Sequence, residues 1–313
     1  MKEITVFGGH SHPELAAEIC RILGVPLSPS RLSRFANDCL EVQLEANCRE
    51  RDVFIIQTLC APVQENLVEL LLMCDAARGA SAARITVVMP FYAYARSDKK
   101  DQPRISIGGR LAADLLVTAG ANRVLTMAMH SPQVHGFFSV PVDHLHALKE
   151  IAGHFRQYDL SNAVAVSPDL GNAKETASFA RLLGIGVAVA AKQRISDKEV
   201  RIASIIGDVA GKDVIVLDDE IARGTTTLEL LQRLREQKVR SIRIACTHGL
   251  FAAGAAARLS EQPDVLEIVC TNTVPVPPDK RGSKLTVLSI ARPLANAIQH
   301  IHNGESVSAL FHA

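Results

Sequence analysis

The sequence lacks the cysteine arrangements that build disulfide frameworks and zinc sites. Its seven cysteines are scattered, no two form a C-x-x-C pair, and an odd number cannot all pair within one chain. A long apolar run is also absent, since no stretch approaches the roughly 18 residues that span a bilayer. These absences argue against a disulfide-stabilised secreted domain and against membrane insertion. We expect a cytoplasmic protein with reduced, mostly buried cysteines.

Neither sign of charge dominates the chain. The 34 Lys and Arg residues nearly balance the 33 Asp and Glu residues, for a formal net charge of +1. Bulk electrostatics therefore gives no reason to expect nucleic acid or an anionic membrane as a partner. Any basic binding site must be local.

What the chain does contain is enough apolar material for a large core. Its 313 residues are 48% hydrophobic and only 21% charged, which suits about two compact domains. Apolar runs at Ile4–Phe7, Arg51–Gln57 and Arg84–Pro90 alternate with helical patterns at Pro13–Ile22 and after Pro62. This β-α-β-α-β order predicts an α/β fold with parallel strand pairing.

A similar shape recurs in the two halves of the chain. The runs Asn122–Pro132 and Arg240–Gly249 each follow a predicted helix and are predicted as strands that end at a histidine. These histidines, His130 and His248, lie 118 residues apart (248 − 130). We infer two similar α/β halves.

The predicted domains are residues 1–148 and 149–313. The boundary falls within a linking helix near Leu145–Leu160. The closing helix, predicted at Pro293–Ile301, is able in this scheme to pack back on the first domain.

The most informative stretch is Val214–Thr227. Its apolar start predicts a buried strand, and the acidic pair Asp218 and Asp219 stands at the carboxyl end of that strand. The following Gly and Thr residues enter a helix, whose first N–H groups and positive dipole end favour a phosphate. Carboxylates at this place would hold sugar hydroxyls or a metal. The stretch alone is equally compatible with an ordinary N-capped crossover helix.

Other predicted strands end in groups that suit phosphoryl chemistry. Because the carboxyl ends of parallel strands gather at one edge of a sheet, these groups form a plausible cleft. Each has a structural alternative: a hydrogen-bonded histidine, an Asx turn or a solvated strand end. Taken together they suit Mg²⁺, which needs few protein ligands beside phosphate oxygens, and basic groups that neutralise a transferring phosphoryl group. The groups are His130, Asp169, Lys192, Arg194 and His248.

Ordered motifs along almost the whole chain resemble those of the ribose-phosphate pyrophosphokinases, also called phosphoribosyl pyrophosphate synthetases. In chain order the matching stretches are Ile56–Gln57, Pro62–Val63, Glu69–Leu71, Tyr94–Arg96, Asp98–Lys100, His130–Gln133, Gly136–Phe138, Asp143–Leu145, Ser167–Asp169, Asp218–Asp219, Cys246–Gly249, Thr271–Asn272 and Ser306–Phe311.

The resemblance implies transfer of the diphosphoryl group of Mg-ATP to O1 of ribose 5-phosphate, giving phosphoribosyl diphosphate and AMP, with Mg²⁺ as cofactor. It implies two similar phosphoribosyltransferase-like halves, each a mainly parallel sheet flanked by helices. It also implies a homo-oligomer, dimer-based or hexameric, with nucleotide sites between subunits.

The same resemblance assigns roles to particular positions. Lys192 and Arg194 match the catalytic basic pair, and His130 and Asp169 match the magnesium-linked pair. The remaining matches are ATP contacts at Phe35, Glu41, Arg96, Ser97, Lys99 and His130, and ribose-phosphate contacts at Arg194, Asp218, Asp219, Ala222, Arg223, Gly224, Thr225 and Thr226. Phe35 and Glu41 match across an apparent two-residue insertion.

The chain departs from the family's pattern close to the chemistry. Ala128 stands where an acidic residue is expected, Leu170–Asn172 replaces His-Gly-Gly, and Glu175 replaces Arg. In the ribose-phosphate loop the departures are Ala222, Arg223 and Thr225. We expect Thr225, in place of Gly, to restrict a loop that needs positive φ.

Three functions remain open from the sequence. The first is a working, divergent synthetase, and the second is a non-catalytic or regulatory homologue that binds nucleotide and associates with a true synthetase. The third is a phosphoribosyltransferase, which would share the acidic pair and the small-residue loop.

Overall fold

A computed structural model gives the structure of the chain. It describes residues 3–196 and 199–308, without the side chains of residues 192–201. The chain forms two compact units. Of the described residues, the first unit contains residues 3–145, the short segment Thr273–Pro275 and residues 290–308; the second unit contains His146–Asn272 and Val276–Ser289.

Strands and helices follow one another along the chain, with some runs of consecutive strands. The strands are β1 (Ile4–Gly8), β2 (Leu27–Ser28), β3 (Ser30–Arg34), β4 (Leu40–Leu44), β5 (Asp52–Ile56), β6 (Arg84–Met89), β7 (Arg123–Met127), β8 (Val142–Leu145), β9 (Ala163–Ser167), β10 (Gly186–Ser196), β11 (Glu199–Ile206), β12 (Asp213–Ile221), β13 (Ser241–Gly249), β14 (Val265–Thr271) and β15 (Leu285–Leu288). The helices are α1 (Pro13–Leu23), α2 (Val63–Gly79), α3 (Gly108–Ala119), α4 (Leu148–Phe155), α5 (Ala173–Leu183), α6 (Thr225–Glu236), α7 (Ala255–Ser260) and α8 (Ala291–Asn303).

The first unit is built on a parallel sheet of six strands in the order β2-β1-β5-β6-β7-β8. All five residues of β5 are buried, as expected for a central strand covered on both faces. The core on one face joins Val53 and Ile55 of β5 to Leu70 and Met73 of α2. An antiparallel hairpin of β3 and β4 packs against α2.

The last helix, α8, packs on α1 within the first unit. Its C-terminal turn is fixed to the sheet by Arg84 and Asp52. The Arg84 guanidinium donates to the Ile301 carbonyl at 2.9 Å and pairs with Asp52, and His302 Nδ1 lies 2.8 Å from the same carboxylate.

The second unit repeats this arrangement with one addition. Its sheet has the order β11-β10-β9-β12-β13-β14-β15, in which β11 alone runs antiparallel to its neighbour. The core joins Val164 of β9 and Val214 of β12 to Leu230, Leu231 and Leu234 of α6. Since α6 presents these residues at helical spacing, it covers one face of the sheet.

The predicted fold class, two α/β halves with mainly parallel sheets, is confirmed. Without β11 and the separate hairpin, both sheets place their strands in the chain order 2-1-3-4-5-6. This order makes β7 equivalent to β14, whereas the 118-residue offset pairs it with β13. That offset is therefore wrong by one strand, although the similarity of the halves is real.

Local details also differ from expectation. Helix α1 begins at Pro13 as predicted and ends at Leu23, one residue later than predicted; the His12 ring accepts the Leu15 N–H at 3.4 Å. The strand predicted to end at His130 ends at Met127. The predicted division at residues 148 and 149 falls at the start of α4, and the compact units change between Leu145 and His146. Within the described residues, no helix combines the length and apolar composition needed to cross a membrane.

Candidate active site

In the second unit, Asp169 lies just beyond the carboxyl end of β9, the strand between β10 and β12. The turn around it is tightly bonded. Ser167 Oγ donates to the Asp169 carbonyl at 2.6 Å, and the Asn172 N–H donates to Asp169 Oδ1 at 3.1 Å. The Asp169 side chain therefore accepts a bond from a backbone N–H three residues on, and Asp169 is half-buried at the sheet edge.

Asn172 also joins this turn to the neighbouring strand. Its side-chain amide donates to the Leu217 carbonyl of β12 at 2.7 Å. Leu217 directly precedes Asp218, so one residue ties the Asp169 turn to the acidic strand end. The sequence marked Asn172 only as a departure from the family's pattern and gave no sign of this contact.

Asp218 and Asp219 lie near the carboxyl end of β12 and are both half-buried. The Asp219 N–H donates to Asp218 Oδ1 at 2.9 Å. Burial raises the pKa of the Asp218 carboxyl well above its ordinary value, and the charges of Asp219 and Asp169 raise it further. Three carboxylates thus share one edge of the second unit, and a cation or sugar hydroxyl donors would relieve their mutual repulsion.

The loop after β12 turns sharply into α6. Gly224 adopts a left-handed conformation with φ of 68° at the N-cap, and Thr225 and Thr226 form the first turn of the helix. The expectation about Thr225 is wrong, because the positive φ falls on Gly224 and Thr225 is helical. The first N–H groups of α6 have no acceptor within the helix and can bind an anion.

The loop itself is held by α7 and the turn before it. Its Ala222 carbonyl accepts the Ala252 N–H at 2.9 Å, and the Arg223 carbonyl accepts Arg258 Nη2 at 2.5 Å. The side chain of Arg223 is exposed at the loop surface. It therefore adds a positive charge beside the first turn of α6 without filling the loop.

Lys192 and Arg194 lie on β10, next to β9 in the sheet, but their side chains fall outside the described residues. His248 lies at the carboxyl end of β13 as predicted, paired with Glu220 of β12, and it is 2% exposed. The second unit therefore gathers Asp169, Asp218 and Asp219, with the backbone of the basic pair on the adjoining strand.

In the first unit, His130 lies three residues beyond β7 and is exposed. Ala128 turns the chain away from the strand with φ of 43°. The next residue is anchored, because the Met129 N–H donates to His144 Nε2 at 2.8 Å. The predicted metal histidine thus sits on a defined turn at the carboxyl edge of this sheet.

The predicted ATP contacts Arg96, Ser97 and Lys99 begin at the end of a short 3-10 turn, Ala93–Arg96. Arg96 and Lys99 are exposed. Ser97 has a structural contact, since its Oγ accepts the Gly108 N–H at 2.8 Å where α3 begins. Residues 97–107 form a loop without helix or strand.

Phe35 and Glu41 lie on the hairpin of β3 and β4. Phe35 is 52% exposed at the turn, and Glu41 pairs with Ser33, whose Oγ donates to its carboxylate at 2.8 Å. The apparent insertion therefore falls in the hairpin turn, where extra residues leave the strand register intact.

The residues at these edges suit Mg²⁺. Among the residues that the structure describes, no group of three or more His, Cys, Asp or Glu side chains could hold a metal by itself. Mg²⁺ usually takes one or two carboxylates and completes its shell with water and substrate phosphates. A single half-buried carboxylate such as Asp169 fits this coordination preference of Mg²⁺.

Comparisons with family models and with known proteins all point to the same family. Residues 4–120 match the N-terminal domain of ribose phosphate pyrophosphokinase, and residues 193–312 match the phosphoribosyl synthetase-associated domain. The chain is 75% identical to a putative ribose-phosphate pyrophosphokinase of Streptomyces coelicolor, over 100% of this chain and 99% of that protein. It is 50% identical to the ribose-phosphate pyrophosphokinase of Deinococcus radiodurans, over 98% of both chains.

A solved structure extends the comparison to three dimensions. The crystal structure of phosphoribosylpyrophosphate synthetase from Mycobacterium smegmatis is 39% identical and superposes with a TM-score of 0.91, covering 97% of this chain and 100% of that one. With this fold and near-complete coverage, the chain belongs to the ribose-phosphate pyrophosphokinase family.

Proposed function

We propose that the protein transfers the diphosphoryl group of Mg-ATP to O1 of ribose 5-phosphate, giving phosphoribosyl diphosphate and AMP. The observation that supports this most is the second unit's sheet edge. There the acidic pair Asp218 and Asp219 leads through Gly224 into the N-terminus of α6, beside Asp169.

In this proposal the second unit binds the sugar phosphate. The first-turn N–H groups of α6, with Thr225 and Thr226 and the exposed Arg223, bind the 5-phosphate. The carboxylates of Asp218 and Asp219 accept hydrogen bonds from the ribose hydroxyls. The sugar is thereby oriented by groups at both of its ends, which lowers the entropic part of the barrier.

ATP contacts are proposed in the first unit. The exposed ring of Phe35 and the carboxylate of Glu41 suit an adenine, which needs a stacking surface and a hydrogen-bond acceptor. Arg96, Ser97 and Lys99 are proposed for the phosphates, where positive charge is favoured.

The reaction needs neutralisation of charge more than covalent help from the protein. O1 of the sugar attacks the β-phosphorus, the bond from that phosphorus to the α-bridging oxygen breaks, AMP leaves and the O1 proton is released. Lys192 and Arg194 are proposed to stabilise charge on the transferring group. Asp169 and His130 are proposed to hold Mg²⁺, which when bound would neutralise phosphate charge.

The test is AMP release by the purified protein. We expect AMP and phosphoribosyl diphosphate in equal amounts, only when ATP, Mg²⁺ and ribose 5-phosphate are all present. ATP-independent consumption of phosphoribosyl diphosphate with a base would instead indicate a phosphoribosyltransferase. If the protein shows no turnover under any of these conditions, the remaining function is that of a non-catalytic homologue.

The resemblance also supports two broader proposals. We propose a homo-oligomer, dimer-based or hexameric, which a solution mass measurement by light scattering tests. We propose a cytoplasmic location, supported by the seven cysteines, all of which are free thiols. Cell fractionation tests the second of these.

A further inference from the structure

The strand that carries the proposed catalytic pair leaves the main sheet before it reaches that pair. Strand β10 pairs with β9 only from Gly186 to Val189. Beyond that point its described pairing is with β11, and this outer ribbon contains Lys192 and Arg194. A two-stranded ribbon is marginally stable alone, so the backbone of the pair depends on what holds β11 in place.

A β-bulge lies at the position of the lysine. Ala191 pairs with Ser204 but Lys192 pairs with Ile202, so Ala203 is an extra residue on β11. A bulge of this kind bends its strand and changes the direction of nearby side chains. The backbone at Lys192 is therefore set by the conformation of β11 at Ile202 and Ala203.

Glu229 holds β11 at this bulge. The Ile202 N–H donates to Glu229 Oε1 at 2.7 Å, while the Ile202 side chain is fully buried in the core of the second unit. Glu229 lies on α6, four residues after Thr225. A hydrogen bond from a backbone N–H to a carboxylate is stronger than one between neutral groups.

We propose that Glu229 is a positioning residue for the proposed diphosphoryl transfer. It ties the bulged strand opposite Lys192 to the helix whose first turn is the proposed phosphate site. The inference rests on the proposed function, and Glu229 acts through the backbone of the ribbon without touching substrate. The hydrogen bond of its side chain fixes β11 and α6 relative to each other within the second unit.

The test compares Glu229→Ala, Glu229→Gln and the control Glu236→Ala, which removes an exposed carboxylate from the same helix. We expect Glu229→Ala to lower kcat by about 10- to 100-fold while both KM values stay within about twofold, as for a misplaced group outside the substrate contacts. Glu229→Gln keeps an acceptor oxygen and should recover most of kcat. Glu236→Ala should match the parent protein.

Hydrogen exchange of the peptide containing Ile202 gives a readout that does not depend on activity. We expect faster exchange in Glu229→Ala and near-parental protection in Glu229→Gln. Unchanged exchange in Glu229→Ala, or a normal kcat per folded molecule, would overturn the proposal. If the parent protein makes no AMP, the proposed function fails, and exchange alone still decides whether Glu229 anchors β11.

Discussion

The side-chain amide of Asn172 donates to the main-chain carbonyl of Leu217 at 2.7 Å, and its backbone N–H donates to Asp169 at 3.1 Å. One residue thus fixes both the turn that presents a proposed metal ligand and the strand end that presents the acidic pair. The family's pattern has glycine at this place, so this chain uses a side chain where its relatives' pattern has none.

Asn172→Ala should weaken the response to Mg²⁺. The substitution removes the bond to Leu217 and loosens the turn that orients the Asp169 carboxylate. Loss of such a supporting contact typically costs roughly 10- to 100-fold in metal affinity. The measurement is the Mg²⁺ dependence of AMP release, together with calorimetric titration of Mg²⁺ in the presence of ATP.

Asn162→Ala is the matched control for that experiment. Asn162 donates the same kind of bond, from Nδ2 to the Gly211 carbonyl at 2.9 Å, before β12 begins. Its removal should leave the Mg²⁺ response unchanged. Equal responses in both variants would show that Asn172 does not support a metal ligand.

Asp218→Asn should stabilise the free protein at neutral pH. The pKa of Asp218 is raised on folding, first by burial and then by neighbouring charge. Between the ordinary value of about 3.9 and the raised value, the folded state binds more protons than the unfolded chain, so the free energy of unfolding falls as pH rises. The side-chain amide that Asp218→Asn introduces cannot ionise, so the variant does not lose this free energy of unfolding as pH rises.

Thermal unfolding without Mg²⁺ or substrate is the measurement. We expect the Tm of Asp218→Asn to exceed that of the parent by about 2–4 °C at pH 7.5, with a smaller difference at pH 4. Asp208→Asn, at an exposed residue paired with Lys212, should show little difference at either pH. A lower Tm for Asp218→Asn at pH 7.5 would contradict the raised pKa.

Arg223→Ala should weaken binding of ribose 5-phosphate with little effect on turnover. The exposed guanidinium attracts the phosphate similarly in the ground state and the transition state, so its loss acts on KM. We expect KM for ribose 5-phosphate to rise about fivefold, corresponding to about 1 kcal/mol, and the effect to shrink in high salt. Arg233→Ala, on the helix α6 that follows this loop, is the control. A lowered KM for Arg223→Ala would show that this arginine obstructs the site.

Lys192→Ala should depress turnover far more than it weakens ATP binding. A charge directed at the transferring group acts mainly in the transition state, so kcat should fall by about 100-fold or more with KM for ATP little changed. Lys212→Ala removes a lysine that precedes β12 and should behave as the parent. Equal losses in kcat and ATP affinity would remove Lys192 from the proposed catalytic role.

Much of the fold follows from local patterns in the sequence. Short apolar runs next to charged residues predicted β5 and β12, because a strand covered on both faces needs apolar residues on both sides. Gly24 ends α1 with φ of 70°, as a helix stop signal predicts. Strand β11 and the hairpin of β3 and β4 were missed, since half-exposed strands have a weaker apolar signal.

The site could be predicted only where side-chain type itself carries the chemistry. Asp218 and Asp219 are recognisable as an acidic pair at a strand end. Glu229 gives no such signal, because its partner is the backbone N–H of a residue 27 positions away. Its contribution depends on tertiary contacts that no local pattern encodes.

The return of α8 to the first unit has a consequence for synthesis of the chain. Among the described residues, the first unit includes both β1 and the closing helix that ends at Asn303, whereas the second unit's segments all precede Ile290. On the ribosome, the unit that begins first must therefore be completed last. A nascent chain that stops before Ala291 leaves the apolar face of α1 without its covering helix, and such surfaces favour aggregation.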